Sequence, residues 1–259
     1  MTMTDWSERI RIGVQLLRTA RTTVALTGAG ISTPSGIPDF RSSKSGLWTR
    51  YDPMQVASLS AFRYEPRRFF EWVRPLALGI LEAEPNAAHQ ALAALEAAGF
   101  LAGVITQNID DLHRRAGSRR IYELHGHLRQ ATCTSCFHKQ EAMALIETFI
   151  EIGEMPRCPN CGGILKPDVV LFGEQLPYDV VREARRLMLK SDLILIAGSS
   201  LEVTPAATLP IEALNRGARL IIVNQEPTYL DKRADVIFHA DVMDILPRLA
   251  HEVLQDVSA

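Results

Sequence analysis

The sequence predicts an α/β fold, a doubly wound parallel Rossmann-like sheet with a smaller inserted domain made of a zinc ribbon and a helical module. Three observations predict it. Short β-branched and aliphatic runs alternate with helical patterns along most of the 259 residues, as in parallel sheets covered on both faces. The first of these runs ends directly in a glycine-rich turn. Two stretches, 42–84 and 129–166, break the alternation, and the second contains all four cysteines.

The predicted strands are short apolar runs that end at glycine or polar residues. They span residues 22–27, 101–106, 121–124, 168–172, 193–197 and 220–223. Ile10, Val14 and Leu17 have helical spacing, and further helices are predicted over 87–98, 178–190 and 205–216. The helix at 87–98 is alanine-rich and is followed by Gly99, a residue type that commonly ends helices.

The two breaks in the pattern define a predicted division into domains. Residues 1–41, 85–128 and 167–259 form the Rossmann-like domain in this interpretation. Residues 42–84, which contain aromatic and arginine clusters but no strand, form a helical module. Residues 129–166 form a zinc-binding module, and the two modules together make the small domain.

The composition excludes some classes of protein. With 28 basic and 30 acidic side chains, the formal net charge is −2, so the chain is not built mainly to coat nucleic acid or an anionic membrane. No apolar run approaches the roughly 20 residues that a membrane-spanning helix needs. The first ten residues lack a basic-then-apolar signal pattern. We therefore expect a cytoplasmic protein with reduced cysteines, no membrane partner and no direct binding to nucleic acid.

The four cysteines form two C-x2-C pairs, with Cys133 and Cys136 in the first and Cys158 and Cys161 in the second. Two such knuckles complete the shell of four thiolates that zinc prefers, and a closed shell leaves no position for a catalytic water. The alternatives are two disulfides, which fit a cytoplasmic chain poorly, or a redox pair, which does not explain two knuckles. The sequence predicts one structural zinc ion.

The glycine-rich turn spans residues 28–33 and follows the first predicted strand. Glycines there let the backbone approach a pyrophosphate, although many strand-ending turns contain glycine without binding any ligand. The turn departs from the hydride-transfer fingerprint G-x-G-x-x-G, because Thr33 occupies the third glycine position. No strand ending in an acidic residue follows about 20 residues later. The pattern favours a dinucleotide held in another pose and disfavours a dehydrogenase.

Polar residues follow four of the predicted strands, in segments 106–110, 125–126, 198–200 and 224–226. Each set alone has a structural explanation, because Asn and Asp cap helices and serine begins turns. Together, at the carboxyl ends of parallel strands, they favour one ligand cleft. Asn108 and Asp110 could bind ribose or amide groups, Ser199 and Ser200 could meet phosphate or ribose, and His125 could act as a general base.

With these segments in order, the chain closely resembles the sirtuins, a family of NAD-dependent protein deacylases. The matching segments are GAGIS at 28–32, GIPDFR at 36–41, TQNID at 106–110, HG at 125–126, the two cysteine knuckles, KPDVVLFGE at 166–174, GSS at 198–200, and Asn224. They extend over nearly the whole chain, and no single one would suffice.

The resemblance implies an activity. Sirtuins bind NAD beside an acylated lysine, and the acyl oxygen displaces nicotinamide at the ribose anomeric carbon. A histidine then acts as base on a ribose hydroxyl, and the products are free lysine, nicotinamide and O-acyl-ADP-ribose. On this sequence the histidine is His125, and the partners are acyl-lysine proteins or peptides.

The resemblance also assigns residues to roles. His125 and Asn108 are the expected catalytic residues. NAD contacts are expected at Gly28, Ala29, Gly30, Ile31, Ser32, Asp39, Phe40, Arg41, Gln107, Asn108, Ile109, Asp110, Gly198, Ser199, Ser200, Asn224, Gln225, Glu226 and Val242. Val170, Phe172 and Gly173 are expected to line the acyl-lysine tunnel, with the substrate peptide added as a strand.

The sequence departs from the family at two points. Asp111 stands where many members have glycine. Members that prefer succinyl or malonyl lysine carry Tyr-x-x-Arg in the helical region, because an acidic acyl group needs a cationic partner. Alignment of the surrounding segments puts apolar Val73 and Leu76 at those positions, so Tyr64 and Arg67 are interpreted as surface residues, and acetyl is the expected acyl group.

Three other functions are kept as alternatives to deacetylation. They are NAD-dependent mono-ADP-ribosyl transfer, removal of succinyl or malonyl groups, and a zinc-ribbon module that binds nucleic acid or protein without catalysis. Basic residues in the zinc segment would favour the binding module, but four glutamates there offset them.

Overall fold

A six-stranded parallel sheet lies at the centre of the computed structural model, which describes residues 6–40 and 46–255. The strands stand in the order β3 (Ile121–Glu123), β2 (Gly103–Thr106), β1 (Thr23–Thr27), β7 (Leu193–Ala197), β8 (Arg219–Val223) and β9 (Val236–Phe238). All neighbouring pairs are parallel. The order reverses between β1 and β7, which is where ligands bind in sheets of this type.

The buried strands divide their side chains between two hydrophobic clusters, one on each face of the sheet. In β1, Ala25 belongs to one cluster, while Val24 and Leu26 belong to the other, as the alternation of side chains along a strand requires. Helices α1 (Ser7–Thr19), α5 (Ala87–Ala97) and α10 (Val242–Gln255) cover the first face. Helices α8 (Tyr178–Lys190) and α9 (Leu209–Leu214) cover the second. The predicted doubly wound fold is confirmed.

The predicted insertions contain the remaining long elements. Residues 46–84 form α2 (Pro53–Val56), α3 (Leu59–Tyr64) and α4 (Pro66–Glu82), without a strand, as expected. A second sheet is antiparallel, with the order β5 (Lys139–Glu141), β4 (Gly126–Cys133) and β6 (Leu165–Val169), and is accompanied by α7 (Met143–Ile152). A short helix, α6 (Leu112–Arg115), follows β2.

Two hydrophobic clusters join the helical insertion to the cysteine-containing insertion. Ala77 of α4 packs with Ala131 of β4 and Ile146 of α7, and Phe70 of α4 packs with Phe149 of α7. This packing supports the interpretation of one small domain. Its limits stay a prediction, since the antiparallel sheet extends outside residues 129–166 at both ends.

The strand predicted over 168–172 does not belong to the parallel sheet, and this prediction was wrong. The structure places β6 three residues earlier, at the edge of the antiparallel sheet. Pro167 explains the difference, because proline has no N–H to donate and is tolerated in edge strands but not in central ones. An apolar run indicates a buried strand without indicating which sheet contains it.

Several helix boundaries follow from local chemistry. The side chain of Asn86 accepts hydrogen bonds from the N–H groups of Ala88 and His89 and begins α5, while Gly99 follows it with φ +85°. The helix predicted over 205–216 is shorter, because a 3-10 turn occupies 206–208.

Strand β9 and helices α7 and α10 were not predicted. None of the helices among the described residues is long and apolar enough to cross a membrane.

The turn after β1 and the turn after β7 contact each other through their backbones. The N–H of Gly30 donates to the carbonyl of Gly198 at 2.9 Å. A Cβ atom on Gly28 or Gly30 would lie within 3.0 Å of Gly198. Gly198 itself has φ +60°, and a Cβ there would lie 2.2 Å from the Ile31 nitrogen. Only glycine permits this approach at the point where the sheet order reverses.

Gly198→Ala therefore destabilises the fold more than Gly217→Ala does. Gly217 also has a left-handed backbone, φ +91°, but its missing Cβ would have no neighbour within 4 Å. For the control Gly217→Ala we expect the free energy of unfolding to fall by about 1–2 kcal/mol, because of backbone strain alone. Gly198→Ala adds overpacking and costs about 2–5 kcal/mol. Urea unfolding of both variants measures the difference, and equal losses would contradict the close approach.

Candidate active site

A cleft of about 420 Å³ opens at the carboxyl ends of β1, β7 and β8. Thirteen of the residues predicted to contact a nucleotide line it, namely Gly28, Ala29, Gly30, Asp39, Phe40, Gln107, Gly198, Ser199, Ser200, Asn224, Gln225, Glu226 and Val242. Its other lining residues were not predicted, and these are Thr33, Gly36, Ile37, Pro38, Glu202, Val203 and Ala240. Five of these seven residues lie within two positions of a predicted one along the chain, so proximity in sequence was the signal that could have found them. Arg41 lies outside the described residues.

A buried polar cluster lies beside the cleft rather than in its lining. The hydroxyl of Ser32 donates to the Asp110 carboxylate at 2.6 Å. The side-chain amide of Asn108 donates to the Ser32 hydroxyl at 3.1 Å and to the Gly28 carbonyl at 3.1 Å. These bonds hold the segment after β2 against the glycine turn, so Ser32, Asn108 and Asp110 fix the position of the cleft wall.

Asp110 is buried, and its environment changes its acidity. Burial raises the pKa of its carboxyl group, because a charged form loses solvation there. The hydrogen bond from Ser32 opposes that shift, as does the bond from the N–H of Leu112 at 3.0 Å. The two hydrogen bonds hold the carboxyl group in place directly beside the cleft.

Two buried histidines, His89 and His113, complete this cluster and were not predicted as part of it. Their rings meet edge to face with centroids 4.9 Å apart. His113 Nε2 lies 2.8 Å from the Thr27 hydroxyl, and His89 Nε2 lies 3.4 Å from the Ser32 hydroxyl. Burial lowers the pKa of His113 to about 3 and that of His89 to about 4. Both rings are therefore neutral near pH 7.

His125 lies in the turn that joins β3 to β4, and so connects the two sheets. Its Nδ1 lies 2.9 Å from the carbonyl oxygen of Gln107. Because a carbonyl only accepts, Nδ1 carries the proton, and the neutral ring then has its basic lone pair on Nε2. The side chain of Gln107 donates to Ser199 at 3.0 Å. One residue thus connects the histidine to the cleft.

An aromatic cluster connects Phe40, at the cleft, with Phe172. Trp48 lies between them, with ring centroids 5.2 Å from Phe40 and 5.9 Å from Phe172. Trp72 of α4 stacks on Trp48 at 5.9 Å. Trp48 and Trp72 were not predicted as site residues, and no sequence spacing relates them to Phe172. The arrangement forms an apolar wall between the cleft and the segment after β6.

The segment after β6 passes between His125 and the helical insertion. The N–H of Val170 donates to the His125 carbonyl at 2.8 Å. Phe172 exchanges backbone hydrogen bonds with that insertion, donating to Ala57 and accepting from Leu59, each at 2.9 Å. Gly173 follows with φ +86°. Ile109 packs nearby, in the hydrophobic cluster that contains Leu171.

The other end of the cleft is formed after β8. The Asn224 side chain donates to the Glu226 carbonyl at 2.7 Å, and the Gln225 side chain donates to the Asp241 carboxylate at 3.2 Å. His239 approaches the same loop, with Nδ1 3.2 Å from the Asn224 carbonyl. Asp241 and His239 were not predicted. These bonds fix the loop that faces the glycine turn.

The four cysteines meet at one point at the end of the antiparallel sheet, where β4 ends at Cys133. Their sulfur atoms all lie within 4.8 Å of one another, with 3.5 Å between Cys133 and Cys161 and 3.7 Å between Cys136 and Cys158. Zinc–sulfur bonds of about 2.3 Å give a tetrahedron with edges of about 3.8 Å, so the cluster fits zinc. The N–H groups of Ser135 and Cys136 donate to the Cys133 sulfur at 3.4 and 3.5 Å, which stabilises the thiolate that zinc binds.

Fold and site together define a nucleotide-binding α/β protein with a structural metal module. The sequence profile of the Sir2 family matches residues 28–205, so the chain belongs to the Sir2 family. It is 46% identical over 247 residues to the NAD-dependent protein deacylase 2 of Archaeoglobus fulgidus, covering 95% of this chain and 96% of that protein. It is 44% identical over 250 residues to the NAD-dependent protein deacylase of Aeropyrum pernix, covering 96% and 100%.

Solved structures of Sir2 proteins are similar over nearly the whole chain. One, from work on the mechanism and regulation of Sir2 enzymes, has a TM-score of 0.89 and 45% identity, covering 95% of this chain and 98% of that chain. Another contains a p53 peptide and NAD+, with a TM-score of 0.85 and 38% identity, covering 98% and 99%. The predicted resemblance to sirtuins is confirmed.

The cysteine cluster predicts one zinc ion per chain. Elemental analysis of the purified protein should find it, and Cys133→Ser should lose it and lower the thermal midpoint. Ser135→Ala is the matched control, because Ser135 lies in the same knuckle without providing a ligand, and this variant should keep its zinc. A wild-type protein that contains no zinc, with a thermal midpoint unchanged by chelator, would contradict the assignment.

The buried histidines predict a loss of stability in acid. Their folded pKa values lie below the value of about 6.5 in an unfolded chain, so unfolding takes up protons. The contribution of the two neutral rings to the free energy of unfolding is fully present above about pH 6.5. It falls as the pH decreases towards 4 and then 3, by up to about 1.4 kcal/mol per pH unit for each ring. His113→Asn should make that decline shallower in urea titrations between pH 7 and pH 4. The exposed His251→Asn should leave it unchanged, and identical slopes for all three proteins would refute the prediction.

Proposed function

We propose that this protein is an NAD-dependent protein lysine deacetylase that forms nicotinamide, O-acetyl-ADP-ribose and free lysine. The observation that carries the proposal is the connection between His125 and the cleft. The His125 ring bonds to the Gln107 carbonyl, and the Gln107 side chain bonds to Ser199 in the cleft. A histidine whose Nδ1 is bonded to a carbonyl has Nε2 as the acceptor of its neutral form, which is suited to take a proton from a ribose hydroxyl. The Sir2 relatives named as deacylases support it.

The cleft suits NAD in shape and chemistry. Gly28, Gly30 and Gly198 present no side chains to this part of the cleft, which leaves room for a pyrophosphate close to the backbone. Carboxylates of Asp39, Glu202 and Glu226 also line it, and carboxylates are good acceptors for ribose hydroxyls. Among the described lining residues there is no lysine or arginine. We infer that Arg41, together with backbone amides, offsets the phosphate charge.

NAD supplies an activated bond between ribose and nicotinamide, and the residues of this chain orient it and exclude water. We infer that Asn108 contacts the nicotinamide ribose. Its side-chain amide donates to Gly28 and Ser32, and these bonds hold it in position beside the cleft. Asp110 and Ile109 hold the carboxamide in this proposal. Phe40 covers the reactive carbon, and its contact with Trp48 supports that role because an aromatic cover excludes water. His125 takes the proton at Nε2.

The acyl-lysine substrate is proposed to bind along the segment after β6. Val170, Phe172 and Gly173 follow one another between His125 and the helical insertion, where an extended peptide could add as a strand. Acyl-lysine proteins and peptides are the proposed partners, and the near-balanced charge gives no support for nucleic acid. The cysteines form no disulfide and are arranged to bind metal as thiolates. Because the cytosol keeps thiols reduced, this arrangement supports a cytoplasmic location.

Product analysis tests the proposal. The protein is incubated with NAD and an acetyl-lysine peptide, and the products are identified by mass spectrometry. O-acetyl-ADP-ribose and deacetylated peptide are expected, and His125→Tyr should abolish both while the zinc content stays at the wild-type level. ADP-ribose attached to protein, without O-acetyl-ADP-ribose, would instead establish the mono-ADP-ribosyl transfer alternative. Turnover by His125→Tyr at the wild-type rate would overturn the base assignment.

The acyl group is proposed to be uncharged, with acetyl preferred. Val73 packs with Leu171 and Ile109 in an apolar cluster, whereas Tyr64 is 83% exposed and Arg67 is also exposed. An acidic acyl group would have no cationic partner at Val73. Turnover of acetyl, succinyl and malonyl versions of one peptide measures the preference. Faster removal of succinyl or malonyl than of acetyl would contradict it.

A further inference from the structure

Four charged side chains form an ion network beside the proposed active site. Arg129 of β4 donates from both terminal nitrogens to Glu123 of β3, at 2.7 and 2.5 Å. The same guanidinium donates to the Asp111 carboxylate. Arg114 also donates to Asp111, at 3.2 Å, and lies 3.8 Å from Glu123. Arg129 is therefore the centre of the network, with three hydrogen bonds to two carboxylates.

The network is partly shielded from water. The side chains of Glu123, Asp111 and Arg129 are 11%, 27% and 28% exposed. Arg185 and Glu212 form a comparable pair with two parallel bonds on the surface of α8 and α9, at 57% and 44% exposure. Ion pairs that are shielded from water are costly to break by removal of one partner, whereas exposed pairs contribute little. The two arginines provide a matched comparison.

Asp111 has an unusual backbone that depends on its side-chain partners. Its φ is +63°, in the left-handed region that glycine tolerates and other residues adopt at a cost. The preceding residue, Asp110, points inward to Ser32 and also accepts the N–H of Leu112. Arg129 and Arg114 donate to the Asp111 carboxylate. The network thus fixes the conformation that directs Asp110 into the buried cluster.

The network also holds the turn that contains His125. Glu123 precedes His125 by two residues and Arg129 follows it by four, so their bond closes the turn between the two sheets. Asp111 lies in the loop whose Gln107 carbonyl orients the His125 ring. Arg129 therefore connects both segments on which the position of His125 depends.

We propose that Arg129 is a positioning residue for His125 and Asp110, acting through Glu123 and Asp111; the proposal rests on the proposed function. The carboxylate of Asp111 lets a residue other than glycine occupy the left-handed position, because the ion network compensates its backbone strain. Arg129 acts on the position of the reacting groups and contacts neither substrate directly.

Arg129→Gln tests this role, with Arg185→Gln as the control. We expect kcat with an acetyl-lysine peptide to fall by about 10- to 100-fold for Arg129→Gln, as small misplacements of reacting groups do, while the KM for NAD stays near the wild-type value. Arg185→Gln should behave like the wild type. If the two variants have equal kcat values, Arg129 has no positioning role.

A second substitution at position 111 separates positioning from general stability. In the Arg129→Gln background, Asp111→Gly should restore part of kcat, because glycine adopts the left-handed backbone without strain. Asp111→Ala should restore none, since it removes the same carboxylate but keeps the strain. Equal effects of the two substitutions would overturn the backbone argument.

The position of His125 can also be measured without turnover. Nitrogen NMR of the His125 ring should show a changed Nδ1 environment in Arg129→Gln and an unchanged one in Arg185→Gln. A wild-type protein that is inactive on the peptide would contradict the proposed function, and the NMR comparison would still decide the role of Arg129. Identical His125 spectra in both variants would refute that role.

Discussion

The backbone contact between Gly30 and Gly198 is the constraint on which the site depends. Strands β1 and β7 are parallel neighbours at the point where the sheet order reverses, so their following turns diverge to opposite faces. The Gly30 N–H bond to Gly198 holds the two turns together at their origin. The cleft opens directly above this contact, and its walls are the segments that leave it. A side chain at either glycine would separate the walls.

The polar cluster beside the cleft connects the glycine turn to the proposed reacting groups. Asn108 bonds to Gly28, Ser32 bonds to Asp110, and the Gln107 carbonyl orients His125. Ser32 and Asp110 are buried and Gln107, Asn108 and His125 are partly buried, so each bond replaces one that water would make in the unfolded chain. A buried network with few alternatives is rigid. The loop after β2 is therefore positioned before any ligand binds, and the aromatic cluster of Phe40, Trp48 and Phe172 extends from the cleft to the segment after β6.

The features that could be predicted from the sequence are those whose geometry is local. The glycine turn and the cysteine knuckles bring their chemistry together within a few residues, and the alternation of strands and helices predicts the main sheet. The segment 168–172 was assigned to the wrong sheet, because an apolar run does not specify its pairing partner. His113 and Trp48 were missed for a related reason. Their partners, Thr27 and Phe172, are distant in sequence and meet only when the sheet and the two insertions assemble.

Hydrogen exchange with and without NAD tests the central claim most directly, because it reports where the backbone is protected. If the strand ends above the Gly30–Gly198 contact form the NAD site, protection should appear in peptides covering 28–40, 198–203 and 224–226. The groove of about 660 Å³ between α1 and α10, lined by Arg11, Arg18 and His251, should be unchanged. Protection confined to that groove, with none at the strand ends, would contradict the account.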